Sequence, residues 1–247
     1  IDPHVHFELP VGTGIVSSDD FYSGTRAALA GGTTTIIDFV TPEPGQLLSD
    51  ALYERKNEAA KSVCDYSVHM SVTEWRDGIG DELKACVDQG VNSVKIYMAY
   101  KETIGLEDDE IFAVMREAAR LDMLVLVHCE IGDEVSKNQQ ELVNAGKTSP
   151  EYHALSRPAD VESDAIERAI ILAEKAGCKL YIVHISTKEG VVALGNAKQH
   201  RQTVFGETCP HYLLLDDREY LKTPVEAVSY VMSPPLRPKS HPPELWS

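Results

Sequence analysis

Apolar, β-branched segments alternate with amphipathic segments along this chain at intervals of about 30 residues. Such alternation is typical of repeated βα units that build a parallel sheet. Strands are predicted over 1–6, 33–39, 66–72, 93–99, 123–128, 179–186 and 203–208. Six and a half units favour a TIM-type (β/α)8 barrel. An open doubly wound sheet is the alternative, but its first strand would usually lead into a Gly-rich phosphate turn, where His4 and His6 stand.

Helices are predicted between these strands. The first is capped by Ser17 or Ser18 together with Asp19 and Asp20, and Gly31-Gly32 stops it after Ala30. The others are predicted over 47–62, 80–89, 107–121, 161–176 and 188–200. A polar connection with some helical character is expected over 132–158, and a proline-rich segment from Pro224 to Pro243 shows no eighth strand.

The chain carries a net charge of −16, which argues against nucleic acid or an anionic membrane as its main partner. Its five cysteines are an odd number without close pairing, and we interpret them as reduced, buried and cytoplasmic. No apolar run is long enough to suggest a membrane span. The chain begins at Ile1 without a methionine and ends abruptly after a proline-rich loop, so we expect terminal segments of the full protein to be absent.

Histidines recur at the predicted carboxyl ends of strands, where the active site of a βα barrel lies. His4 and His6 close the first strand, His128 the fifth, and His184 falls near the end of the sixth. Side chains at i and i+2 of a strand project to the same side, so His4 and His6 form a two-pronged metal clamp. Each histidine taken singly can also be a hydrogen-bonded core residue.

Lys95 stands inside the apolar strand Val94-Lys95-Ile96-Tyr97-Met98. Burying an ammonium group there costs several kcal/mol unless something compensates it. A salt bridge to a buried carboxylate is one solution. Conversion of the amine by CO2 to a carbamate is the other, since this anion has two oxygens that can bridge two cations.

The chain resembles the dihydropyrimidinase and hydantoinase family of cyclic amidases within the amidohydrolase superfamily. Seven segments in this order carry the resemblance: Asp2-Pro3-His4-Val5-His6, 32–39, 94–101, Val127-His128-Cys129-Glu130, Val183-His184-Ile185-Ser186, Glu207-Thr208-Cys209-Pro210 and Ser233-Pro234-Pro235-Leu236-Arg237. The resemblance spans nearly the whole chain. It implies an incomplete amidohydrolase barrel over residues 1–247, with strands one to seven but without the eighth strand and the small β-sandwich domain.

By the same resemblance, His4, His6 and Lys95 would bind one divalent metal, and Lys95, His128 and His184 a second. The metals would be zinc or manganese, bridged by carboxylated Lys95. A bridging hydroxide would open dihydropyrimidines or 5-substituted hydantoins to N-carbamoyl amino acids. Tyr100 would bind the substrate carbonyl and its oxyanion, and the backbone of Ser233 the ring amide.

The family's catalytic aspartate follows its eighth strand, and neither Asp216 nor Asp217 stands in that context. We interpret His69 as a core or supporting residue, and Cys129 as a buried thiol. Glu130 is either a residue that supports His128 or a solvated strand end. Three further histidines are expected on the surface or in loops: His153, His200 and His241.

Three alternative functions stay open: two other cyclic amidase activities and a non-catalytic scaffold. Allantoinase and dihydroorotase share the paired histidines and the modified lysine, but a dihydroorotase would carry an arginine two residues after His6, where Glu8 stands. A non-catalytic scaffold like the collapsin-response mediator proteins would have lost metal ligands, whereas all five positions are present here. The resemblance also implies a homotetramer and a small cyclic amide as the binding partner.

Overall fold

The computed structural model of the protein describes residues 1–10 and 14–246. Six parallel strands alternate with helices in this part of the chain, as the sequence predicts for βα units. The strands are β1 (Thr35–Val40), β2 (Asp65–Ser71), β3 (Ser93–Tyr97), β4 (Leu124–His128), β5 (Lys179–Ile182) and β6 (Val204–Gly206). The chain divides into two compact units, Ile1–Lys95 and Ile96–Ser247.

The helices follow the predicted order, and short ones occupy the proline-rich end of the chain. They are α1 (Phe21–Ala30), α2 (Leu48–Ala59), α3 (Ile79–Asp88), α4 (Asp108–Arg120), α5 (Gly132–Asn144), α6 (Pro150–Leu155), α7 (Ala159–Ala176), α8 (Lys188–Gln199), α9 (Pro210–Leu214), α10 (Pro224–Ala227) and α11 (Pro242–Leu245). None of the helices in the described residues is both long and apolar enough to cross a membrane.

In the first unit, β2 lies between β1 and β3, and all three run parallel. Asp20 caps α1, because its Oδ1 accepts a hydrogen bond of 2.7 Å from the backbone N–H of Ser23. The helix then places Phe21 against Ile36 of β1 and Ala59 of α2, and all three side chains are fully buried. The predicted cap is therefore confirmed for Asp20, and the helix packs on the sheet through its first turn.

In the second unit, β5 lies between β4 and β6 in parallel register. α7 ends at Gly177, whose φ of 72° is a left-handed conformation that glycine adopts without a steric penalty. After β6 the chain closes over a separate small core of Tyr212, Tyr220 and Leu236. The segment that contains Ser233 is thus anchored by buried aromatic residues and not by a strand.

The predicted first strand is wrong. Asp2 forms a single parallel bridge with Ile36, and no strand is present over 1–6. Pro3 has no backbone N–H to donate, and the N–H of His4 donates to Oδ1 of Asp2 at 3.1 Å. The regular ladder therefore stops after Asp2. The next hydrogen bond to β1 comes from the N–H of Val5, which donates to the carbonyl of Ile37 at 3.2 Å, and the opening segment lies along β1 in an irregular extended conformation.

The predicted sixth strand is too long. It ends at Ile182 and not at Ser186, because His184 has a φ of 42° that no strand residue adopts. The polar connection predicted over 132–158 contains two helices, α5 and α6, and is more regular than expected. All five cysteines lie in described residues as thiols without a disulfide; Cys86 and Cys129 are buried, while the other three are half-buried, contrary to expectation.

Gly24 on α1 provides a test of how closely the opening segment packs. A Cβ atom at this position would lie 2.2 Å from Cε1 of Phe7, whose ring packs against Phe21 with 5.6 Å between ring centroids. We expect Gly24→Ala to lower the free energy of unfolding by about 1–3 kcal/mol, measured by urea denaturation. The control is Gly195→Ala on α8, where nothing lies within 4 Å, and we expect it to be neutral or to stabilise by about 0.5–1 kcal/mol. Equal effects of the two substitutions would contradict this packing.

Candidate metal centre

The predicted site residues fall into two groups, one in each unit. His4, His6 and Lys95 belong to the first unit. The second unit contains the residues predicted to complete the site: Tyr100, His128, His184 and Ser233. Each group brings a pair of imidazole rings together.

His4 and His6 present their rings on the same side, although their segment is not a strand. Their Nε2 atoms lie 3.2 Å apart. Two imidazole nitrogens bound to one tetrahedral zinc ion at 2.0–2.1 Å stand about 3.3 Å apart. The spacing therefore fits a shared metal ion.

Phe39 of β1 lies beside this pair and forms its apolar wall. Its ring stacks on that of His6, with 4.5 Å between centroids and 21° between planes, and it lies 4.8 Å from the ring of His4. Nζ of Lys95 is 5.4 Å from the centroid of the same ring. Lys95 is 1% exposed, so its predicted burial is confirmed. The three predicted ligands of the first unit therefore surround one aromatic side chain.

A buried ion pair holds the chain just beyond His6. The backbone N–H of Phe7 donates to Oδ2 of Asp38 at 2.9 Å, and Nη2 of Arg55 donates to the carbonyl of Phe7 at 2.5 Å. Asp38 and Arg55 are themselves joined by a contact of 2.6 Å, and Asp38 is fully buried. Both polar groups of the Phe7 backbone are thus satisfied by one ion pair.

His69 of β2 holds the same segment from its other end. Its Nε2 lies 3.0 Å from the carbonyl of Pro3, and its Nδ1 lies 2.6 Å from Oγ of Ser93. The carbonyl can only accept, so Nε2 carries the proton and Nδ1 accepts from the serine hydroxyl. His69 is thus buried and hydrogen-bonded to the segment that carries His4 and His6, in keeping with its interpretation as a core or supporting residue.

In the second unit, His128 and His184 form the other pair. Nδ1 of His128 lies 3.0 Å from Nε2 of His184, a spacing close to that expected for two ligands of one metal ion. Nε2 of His128 contacts Oε2 of Glu130 at 2.7 Å. A carboxylate in that position holds the proton on Nε2 and leaves the Nδ1 lone pair available to a metal, as in carboxylate–histidine–metal arrangements.

Glu130 is a buried residue and not a solvated strand end, so that alternative is wrong. It is 0% exposed and contacts the guanidinium of Arg157 as well as His128. Burial alone would raise the pKa of Glu130, but the hydrogen bond from His128 and the charges of Arg157 and Arg237 hold its pKa below the usual value. The carboxylate is therefore kept ionised beside the imidazole that it orients.

Two predicted site residues have left-handed backbone conformations. Tyr100 has a φ of 63° and His184 a φ of 42°. Glu207 holds the turn at His184, because its carbonyl accepts from the N–H of Ile185 at 2.7 Å. Non-glycine residues in this region of backbone space cost free energy and cluster at functional sites. The observation supports a functional role for both residues.

Tyr100 and Ser233 meet in the second unit. The ring of Tyr100 lies 5.2 Å from that of His128, and the side chains of Ser233 and Arg157 lie near its hydroxyl. Burial raises the pKa of Tyr100, so the phenol stays protonated at neutral pH and can donate a hydrogen bond. Its carbonyl accepts from the N–H groups of Thr103, Ile104 and Gly105, which close a tight turn after β3.

The remaining histidines behave differently from one another. His200 is exposed, as predicted. His153 is half-buried, with Nε2 at 2.8 Å from the carbonyl of Met232 and 3.3 Å from Oγ of Ser233, and His241 is 6% exposed. Both were predicted on the surface or in loops. For His153 this is wrong, because it lies on α6 and is half-buried, whereas His241 stands in a bend just before α11, as predicted, although it is buried and its Nδ1 accepts from the N–H of Lys188 at 3.1 Å. Cys129 is 2% exposed, which confirms the prediction of a buried thiol.

Within residues 1–10 and 14–246, no set of three or more His, Cys, Asp and Glu side chains is arranged to hold a metal ion. The structure instead gives two pairs of imidazoles, each with nitrogen atoms at a spacing that suits one metal. Asp216 does not extend either pair, because it binds Arg218 at 2.6 Å. The donors present suit zinc or a neighbouring transition metal, for which imidazole is a common ligand.

Comparison with known proteins assigns the chain to a class. The model of the amidohydrolase family matches residues 1–195. The chain is 43% identical over 250 residues to D-hydantoinase from Geobacillus stearothermophilus, covering 100% of this chain and 53% of that protein. It is 41% identical to dihydropyrimidinase from Rattus norvegicus, covering 96% of this chain and 46% of the relative.

Solved structures give the same answer. A crystal structure of a D-hydantoinase matches with a TM-score of 0.97 and 41% identity over 99% of this chain and 54% of the other. Dihydropyrimidinase from Brevibacillus agri NCHU1002 matches with a TM-score of 0.97 and 40% identity, covering 99% and 53%. The chain spans about half the length of the relatives it matches. It belongs to the amidohydrolase family and, within it, to the dihydropyrimidinase/D-hydantoinase family.

The buried ion pair next to His6 can be tested by substitution. Arg55→Met leaves Asp38 buried without its charged partner, and we expect the free energy of unfolding to fall by about 3–5 kcal/mol. The control is Arg26→Met on α1, an exposed arginine, for which we expect a change within about 0.5 kcal/mol. Urea denaturation followed by circular dichroism measures both. A loss below about 1 kcal/mol for Arg55→Met would contradict the role assigned to the pair.

Proposed function

We propose that the complete protein is a metal-dependent hydrolase that opens the cyclic amide of dihydropyrimidines and 5-substituted hydantoins to give N-carbamoyl amino acids. The observation that carries this proposal is the presence of two imidazole pairs at metal-ligand spacing in a chain of the dihydropyrimidinase/D-hydantoinase family. The names of the relatives support the substrate class, since they are D-hydantoinases and dihydropyrimidinases. The chain covers about half of these relatives, so the activity is proposed for the whole protein.

The proposed metal ligands are those of the family. His4 and His6 would bind one divalent ion with Lys95, and His128 and His184 a second ion with the same lysine, in its carboxylated form. The burial of Lys95 at 1% exposure supports this assignment, because a carbamate would replace a buried ammonium group by an anion whose charge the two cations could compensate. Zinc is the expected metal, and manganese would suit the same donors.

When bound, two such cations supply a water activated at neutral pH and a Lewis acid for the amide carbonyl. The protein's own residues would position the ring. The protonated phenol of Tyr100 would donate a hydrogen bond to the carbonyl oxygen, and this bond strengthens as negative charge develops there, so it favours the transition state over the ground state. The backbone of Ser233 would hold the ring amide, and the nearness of its side chain to the Tyr100 hydroxyl supports a shared role.

Two alternative activities are less well supported. A dihydroorotase would carry an arginine two residues after His6, and Glu8 stands there instead, paired with Lys61 at 2.8 Å. Allantoinase shares the ligand set, but the relatives reported above are a D-hydantoinase and a dihydropyrimidinase. A non-catalytic scaffold would have lost ligands, whereas both imidazole pairs are intact here.

The same family membership supports several properties of the whole protein. We propose a (β/α)8 barrel completed by parts beyond residues 1–247, and a homotetrameric assembly. The net charge of −16 supports a small-molecule substrate without nucleic acid or membrane partners. Five thiols without a disulfide support a cytoplasmic location.

A turnover assay of the complete protein tests the proposed activity. Dihydrouracil, hydantoin, allantoin and dihydroorotate are offered side by side, and ring opening is followed by loss of ultraviolet absorbance. We expect turnover of dihydrouracil and hydantoin, with the other two hydrolysed at least about tenfold more slowly, because a carboxylate or ureido group requires its own polar partners. Exclusive turnover of allantoin or dihydroorotate would reassign the enzyme, and absence of both turnover and bound metal would favour the scaffold.

Lys95→Ala tests the metal bridge. We expect the substitution in the complete protein to remove bound metal and activity together, because the bridging anion is lost. Short carboxylic acids such as acetate and propionate should restore part of both. Lys175→Ala, at an exposed position on α7, is the matched control and should leave metal content unchanged. Full activity of Lys95→Ala would reject the proposed site, and metal content is measured by inductively coupled plasma mass spectrometry.

A further inference from the structure

Arg157 lies at the centre of a buried polar network in the second unit. It follows α6 in the chain and is 3% exposed. Its guanidinium donates to the carboxylate of Glu130, which in turn contacts Nε2 of His128. Its Cζ lies 5.4 Å from the centroid of the Tyr100 ring, so the guanidinium lies against the phenol. One side chain thus contacts both the phenol and the carboxylate behind the imidazole.

The network also fixes Arg157 from behind. The backbone carbonyl of Arg157 accepts a hydrogen bond from the guanidinium of Arg237. Arg237 in turn binds Oε2 of Glu162 at 3.0 Å and Oγ of Ser186 at 2.8 Å. All of these side chains are nearly or fully buried. A buried, mutually hydrogen-bonded set of this kind restricts each member to one geometry.

We propose that Arg157 is a positioning residue that holds the phenol of Tyr100 and the carboxylate of Glu130 at one fixed geometry relative to each other. The expected kinetic effect rests on the proposed function, whereas the contacts of Arg157 are independent of it. Because Glu130 orients His128, Arg157 couples the residue proposed to bind the substrate oxyanion to a proposed metal ligand. Glu130 accepts from both His128 and Arg157, which keeps its charge compensated.

The geometry of the side chain explains why an arginine is required here. A guanidinium is planar and offers five N–H donors in fixed directions, whereas an ammonium is a point charge on a flexible stem. Arg157 donates to the carboxylate of Glu130 while its guanidinium lies beside the Tyr100 ring. A lysine would keep the charge but not both directions. Substitution by lysine therefore distinguishes the effect of the positive charge from the effect of the fixed donor directions.

The kinetic test is a double-mutant cycle in the complete, metal-loaded protein with Arg157→Lys and Tyr100→Phe. We expect Arg157→Lys alone to lower kcat by about 10- to 100-fold, as misplacement of a catalytic contact does, with KM changed less than about threefold. In the Tyr100→Phe background the same substitution should lower kcat less than about threefold, because the hydroxyl it positions is already gone. Equal losses in both backgrounds would overturn the inference.

Arg168→Lys on α7 is the matched control. Arg168 is 51% exposed and makes a long contact of 3.4 Å with Asp108, so we expect kcat and KM to stay within about twofold of the unaltered protein. A loss at Arg168 equal to that at Arg157 would show a general effect of replacing arginine and would overturn the positioning role.

A spectroscopic measurement separates this inference from the proposed activity. Tyrosine labelled with 13C at Cζ gives one resonance that disappears in Tyr100→Phe and so belongs to Tyr100. We expect this resonance to shift in Arg157→Lys and also in Glu130→Gln, which breaks the charged anchor of Arg157 without altering Arg157 itself. If Arg157→Lys does not fold, the shift of the Tyr100 resonance in Glu130→Gln tests the inference instead. An unmoved resonance overturns the positioning role, while absence of turnover in the unaltered protein with a moved resonance rejects only the proposed function.

Discussion

Buried carboxylates paired with arginines fix the positions of the functional side chains in each unit. Asp38 and Arg55 form such a pair at 2.6 Å and together satisfy the backbone beyond His6. Glu130 and Arg157 form another beside His128. A buried charge is tolerated only when it is paired and hydrogen-bonded, so each pair has one stable arrangement. The first pair thereby holds the chain just beyond His6, and the second holds the ring of His128.

The alternation of strands and helices could be predicted from the sequence because burial on both faces of a parallel strand leaves a continuous apolar run. The opening segment could not, since its extended pattern resembles a strand while Pro3 and the side chain of Asp2 remove the hydrogen bonds that a strand needs. The predicted end of the sixth strand was wrong for a related reason. The left-handed backbone at His184 depends on its contacts with Glu207, which no local pattern reveals.

Much of the candidate site could also be predicted, because its histidines and its lysine stand out against the apolar strands that carry them. His69 and Glu130 were recognised as possible supports, but the arginines and the aspartate that complete the buried ion pairs were missed. Asp38 reads as one polar position at the end of a buried strand, and its partner Arg55 lies on a helix 17 residues later. Arg157 lies 27 residues from Glu130 in a connection that looked irregular. Such pairs are made by tertiary packing, so they carry no spacing signal that a single sequence could show.

The central claim is that the two imidazole pairs and Lys95 together hold two cations. A crystal structure of the complete protein, with anomalous diffraction recorded on both sides of the zinc absorption edge, tests it most directly. The account predicts two anomalous peaks. One should lie within about 2.0–2.2 Å of the Nε2 atoms of His4 and His6, and the other within the same distance of Nδ1 of His128 and Nε2 of His184. Density for a carbamate on Lys95 should lie between the two peaks. A single peak away from these atoms, or Lys95 as a free amine bound to a carboxylate, would contradict it.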